Sequence, residues 1–104
     1  MNSIVTVIIP SVNEKFLSQT IRDVLQKARG EIEVIPVLEG YEPDGIVEDS
    51  RVKYIRHDAV KGLRACINDA AAIAKGDYLM KSDAHCMFDE GFDTKLAADC
   101  ADNW

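Results

Sequence analysis

Asp83-Ala84-His85 sets a carboxylate and an imidazole two residues apart. In an extended segment, residues i and i+2 project to the same side. The two side chains can therefore aim at one point. An oxygen and a nitrogen donor suit manganese, or another borderline cation, better than calcium. Two protein ligands leave further positions for phosphate oxygens and water. The same spacing also arises in any acidic loop, with the Asp capping a turn and the His facing solvent. Spacing alone leaves both readings open.

Three further segments hold polar groups where a ligand could use them. Pro10-Ser11-Val12-Asn13-Glu14 follows an apolar run and opens a helical pattern. Free N–H groups and small polar side chains there can hold a nucleoside, or simply cap the turn. Glu39 closes a second apolar run. Its carboxylate can accept from a base or ribose, or be an ordinary acidic loop residue. Lys61-Gly62-Leu63-Arg64 sets two cations at a helix start, which suits a phosphate by charge and helix dipole, or is solvated surface charge. His57, between Arg56 and Asp58, reads as a surface histidine. Cys86 lies beside the D-x-H segment, but nothing there lowers a thiol pKa. Neither G-x-G-x-x-G nor G-x-x-x-x-G-K-[ST] occurs, so dinucleotide and P-loop sites lose their main support.

Regular elements must position these groups. Ile4 to Ile9 is a short β-branched run closed by Pro10, the pattern of a strand buried on both faces. Phe16, Leu17, Thr20, Ile21, Val24, Leu25 and Ala28 recur at helical spacing, with Asn13 as N-cap and Gly30 as stop. Glu33 to Leu38 reads as a second strand, against which Pro36 argues. The stretch from Glu39 to Ser50 reads as a loop and Val52 to Arg56 as a third strand. Leu63, Cys66, Ile67, Ala70, Ile73 and Ala74 form a second helical face that Gly76 ends. Asp77 to Lys81 reads as a fourth strand. Phe92, Leu96 and Cys100 fall on one face of a last helix. This order predicts an α/β fold, a mostly parallel sheet of about four strands flanked by helices. Ligands of such sheets bind beyond the carboxyl ends of the strands, where strand order reverses. That rule selects the segments from Pro10 to Glu14, at Glu39 and Gly40, and from Ser82 to His85.

Bulk properties narrow the partners. A chain of 104 residues suits one domain with a real core. The net charge of −6 is concentrated after Gly76, where seven acidic residues face only Lys81 and Lys95. An acidic chain without a basic stripe argues against a nucleic-acid duplex as partner. Cys66, Cys86 and Cys100 form no C-x-x-C pair and are odd in number, as in a reduced cytoplasmic protein. The start carries no basic n-region, and the following apolar run stops at Pro10. Neither a signal peptide nor a membrane segment is expected.

Together these segments resemble the N-terminal half of family-2-type glycosyltransferases with the GT-A fold. Val5 to Glu14 is similar to that family's opening strand and P-x-x-N-E turn. Gly62 to Ala71 resembles its G-l-x-x-A-x-N-x-G helix, without the Gly two after Asn68. Ala74 to His85 resembles its strand and D-x-D metal motif, with His85 in place of the last Asp. Asp83-Ala84-His85-Cys86 is closer to the D-x-H of polypeptide N-acetylgalactosaminyltransferases. The resemblance implies a UDP-sugar donor, with Pro10, Ser11, Asn13 and Glu14 lining the nucleoside pocket and Arg64 near the diphosphate or base. It implies that Asp83 and His85 hold Mn2+ (or Mg2+), with Asp83 also near the ribose. The family's second strand ends in Asp-Asp or Asp-Gly; here Glu39-Gly40 stands instead, so a base contact falls to Glu39 alone. The acceptor is unknown. No residue matches the family's catalytic base, which lies in a second half. The expectation is a fragment truncated before the acceptor-binding half, inactive alone and prone to self-association. Two alternatives remain: a nucleotidyltransferase, disfavoured by the lack of Gly between Pro10 and Lys15, and a non-catalytic nucleotide-binding or interaction module.

Overall fold

The computed structural model describes residues 4–12, 17–42 and 45–82. Its elements run β1 (Val5–Ser11), α1 (Leu17–Lys27), β2 (Ile32–Glu39), β3 (Ile55–His57), α2 (Leu63–Ile73) and β4 (Tyr78–Lys81). The four strands form one parallel sheet in the order β3-β2-β1-β4. The α/β expectation holds. The proposed last helix and the Asn13 cap lie outside the described residues.

Period-two alternation sorts β1 and β2 onto two faces. Val5, Val7, Ile9, Ile32, Val34 and Leu38 pack with Leu17, Ile21 and Val24 of α1. Ile8, Ile35 and Val37 pack with Cys66 and Ala70 of α2 on the other face. Both strands are buried on both sides, which explains their unbroken apolar character. The apolar face read for α2 was too wide, because Leu63 and Ile73 are about half exposed.

Pro36 sits inside a central strand, opposite Ile9 of β1. The flanking bonds explain its tolerance. Val34 donates to the Arg51 carbonyl and accepts from the Lys53 N–H, so its polar groups face the β3 side. Pro36, two residues on, faces the same way. Its missing N–H falls between the isolated bridge at Val52 and the start of β3 at Ile55. The third strand is accordingly shorter and later than Val52 to Arg56.

Gly76 ends the α2 connection for a reason of space. A Cβ there would lie 2.3 Å from Thr6 Oγ1 and 2.8 Å from Thr6 N. The Gly76 N–H donates to Thr6 Oγ1 at 3.0 Å, and the Thr6 hydroxyl donates to buried Glu33 at 3.0 Å. Glu33 also accepts from Lys53 Nζ at 2.7 Å and from the Lys75 N–H at 2.8 Å.

Candidate functional site at the carboxyl edge of the sheet

Parallel pairing brings all four strand ends to one edge. There lie Pro10 and Ser11 of β1, Glu39 of β2, His57 of β3 and Ser82 just past β4. Strand order reverses at β1, whose neighbours are β2 and β4. The Ser82 N–H donates to the Ile8 carbonyl at 2.9 Å, which continues the β1–β4 pairing to the edge. The switch point of the sheet is therefore flanked by Ser11 and Ser82. Asp83 follows Ser82 in the sequence. Asp83, His85, Asn13 and Glu14 lie outside the described residues.

Ser11 is buried, and its hydroxyl hydrogen-bonds the phenol of Tyr41, which follows β2. Tyr41 thus joins the carboxyl edge of the sheet beside Ser11. Pro10 is half-buried beside Val37. Arg64 is exposed in the first turn of α2.

Glu39 is the last residue of β2 rather than a loop residue, and its side chain is buried. Its odd position in β2 turns it toward the α2 face, as for Val37 and Ile35. Oε1 accepts from the Lys61 N–H at 2.9 Å and the Gly62 N–H at 3.1 Å. Gly62 precedes α2 with φ of 94°, a conformation that suits glycine, and has no side-chain cap of its own. A carboxylate from a neighbouring strand therefore neutralises the positive end of α2. This offsets the pull of that helix end on a phosphate and leaves Lys61 and Arg64 to act by their own charges.

His57 is buried, which corrects its reading as a surface residue. Nδ1 lies 3.4 Å from Glu39 Oε1, and Nε2 lies 2.7 Å from Asp69 Oδ2. Asp69 is half-exposed one turn beyond Cys66 on α2. Burial, then the hydrogen bond and charge of Glu39, push the Cys66 thiol up to about 12. Cys66 is thus no nucleophile at neutral pH. Sequence spacing could not bring Glu39, His57, Cys66 and Asp69 together. The available signal was a charged residue ending one apolar strand and an imidazole ending the next.

The chain's relatives can be set against this geometry. The profile described as Glycosyl transferase family 2 matches residues 6–104. The chain belongs to glycosyl transferase family 2. No curated protein matches it in direct comparison. The four-stranded parallel sheet with its two helices is consistent with the Rossmann-like half of a GT-A glycosyltransferase domain. Family membership implies a nucleotide-sugar donor and an acceptor. No helix among the described residues is long and apolar enough to cross a membrane.

A hollow of about 490 Å³ opens at the opposite, amino edge of the family-2 sheet, lined by Ile4, Glu31, Lys53 and Lys75 among others. Glu33 and Lys53 on its wall are already paired. The carboxyl edge is the better candidate, because loops after parallel strands converge there.

The two buried carboxylates predict how acid acts on the fold. Burial alone would raise Glu33, but hydrogen bonds from Lys53, Lys75 N–H and the Thr6 hydroxyl outweigh it and lower its pKa. Burial likewise opposes ionisation of Glu39, but the thiol of Cys66, the N–H groups of Lys61 and Gly62, and His57 lower it. A carboxylate with a depressed folded-state pKa stabilises the fold above its ordinary value and loses that contribution as pH falls through the folded value. Urea denaturation should therefore show stability falling once the pH drops below 4.5, the ordinary value for both. Glu33→Gln should flatten that fall; an unchanged slope would remove Glu33 from the account.

Proposed function

We propose that this family-2 domain binds a UDP-sugar across the switch point between β1 and β4 for metal-dependent transfer of the sugar to an acceptor. The family match over residues 6–104 supports this most directly. The strand order adds to it, because Ser11 and Ser82 close the two strands on either side of the switch point. Pro10, Ser11, Asn13 and Glu14 would line the nucleoside pocket, with Tyr41 at its rim. Arg64 would approach the diphosphate from α2. Glu39 is the family-position candidate for the base. Its Oε1 already accepts from Lys61 and Gly62, so such a contact would fall to Oε2.

Asp83 and His85 would hold Mn2+ or Mg2+. When bound, such an ion supplies positive charge to a departing diphosphate. The D-x-H pattern followed by Cys86 supports similarity to polypeptide N-acetylgalactosaminyltransferases, and with it a UDP-linked amino sugar.

Titration calorimetry tests this reading. Uridine diphosphate should bind at least about tenfold more tightly with manganese than with a chelator, as expected when two ligands anchor the ion. His85→Ala and Asp83→Ala should each abolish that gain. Equal affinity in manganese and in chelator would end the metal assignment.

A further inference from the structure

We propose that Glu39, His57 and Cys66 form a second, buried metal site, selective for zinc-like ions and built from residues other than Asp83 and His85. One carboxylate oxygen, one ring nitrogen and one sulfur lie within 4.8 Å of one another, and all three residues are buried. They come from the ends of two adjacent strands and the first turn of α2. A mixed oxygen, nitrogen and sulfur set is the donor chemistry of zinc and excludes magnesium and calcium as preferred occupants.

The histidine geometry carries the argument. A neutral imidazole has one N–H, yet both ring nitrogens of His57 face carboxylate oxygens. Nε2, at 2.7 Å from Asp69, is the shorter of the two contacts. Facing both carboxylates favourably takes either a second proton on the ring or a cation between Nδ1 and Glu39. The Nδ1 to Oε1 separation of 3.4 Å is long for a charge-assisted bond of about 2.7–2.9 Å. It matches the edge of about 3.3–3.4 Å between nitrogen and oxygen ligands on a tetrahedral zinc with bonds of about 2.0–2.1 Å. Asp69 then occupies the place of the outer carboxylate that fixes the tautomer of a metal-bound histidine.

Charge closes as well. Zinc, a thiolate, a carboxylate and a neutral imidazole sum to zero, which lessens the cost of burial. Binding displaces the Cys66 proton to solvent, because the thiolate is the ligand. A bound ion would tie the ends of β2 and β3 to α2.

Cobalt(II) is the probe. The full chain, freed of metal with a chelator, is titrated with cobalt and followed by absorption. A thiolate-to-cobalt charge-transfer band should appear and be displaced by zinc. It should persist in Asp83→Ala/His85→Ala, in Cys86→Ser and in Cys100→Ser, and vanish in Cys66→Ser. Asp69→Ala, at a half-exposed position, should keep the band and weaken cobalt affinity about 10–100-fold. Absence of the band in the unaltered chain overturns the proposal. So does its loss in Cys86→Ser or Cys100→Ser, or unchanged affinity in Asp69→Ala.

Discussion

Glu39→Ala will destabilise the metal-free fold by about 3 kcal/mol, because one truncation strands several donors at once. The N–H groups of Lys61 and Gly62 lose their acceptor, and His57 loses one of its two carboxylate contacts. Each orphaned buried donor costs about 1–3 kcal/mol, reduced here because Lys61 and Gly62 are partly reached by water. The positive end of α2 also loses its only nearby buried anion among the described residues. Glu39→Gln keeps an acceptor oxygen and should lose about half as much. A loss of this size matters, since whole domains are stable by about 5–15 kcal/mol. Urea denaturation in chelator measures it. A loss under about 1 kcal/mol for the alanine variant would mean that Glu39 does not hold the start of α2.

Gly76→Ala should be comparably damaging, at about 3 kcal/mol or more, by overpacking. The added carbon would lie 2.3 Å from Thr6 Oγ1, 2.8 Å from Thr6 N and 3.0 Å from Thr6 Cβ. A hydroxyl can rotate, but Thr6 N belongs to a strand paired on both sides. The chain around residue 76 must therefore retreat, which breaks its bond to Thr6 and disturbs the hydroxyl that serves Glu33. A Thr6→Ala background relieves only the oxygen contact, so most of the loss should remain. Thermal melting of the single and double variants decides the point. Near-normal stability of Gly76→Ala would show that the two segments do not approach so closely.

The elements were legible where local pattern dominates. The β-branched run before Pro10 and the helical spacing from Leu17 to Val24 appear as β1 and α1. Pro36 misled because its penalty depends on which neighbour its nitrogen faces, and that is a property of the assembled sheet. The order β3-β2-β1-β4 has no local signal at all. Of the candidate site, Ser11 and Ser82 follow from the rule about strand ends once that order is known. The cluster of Glu39, His57, Cys66 and Asp69 was hidden, since His57 among charged neighbours looks solvated until α2 covers it. Tyr41 was missed for the same reason: its phenol meets Ser11 only across two paired strands.

The placement of Glu33 and Glu39 in β2 has a consequence for how the chain finds its alignment. Both occupy odd positions of one strand, six residues apart, so both side chains emerge on the same side. Sliding β2 by a single residue would drive two ionised groups into the aliphatic layer formed by Leu17, Ile21 and Val24. Val, Ile and Leu alone would tolerate that slip, being greasy on either side. The two acids act as a ratchet against mispairing during folding, independent of whatever they later hold.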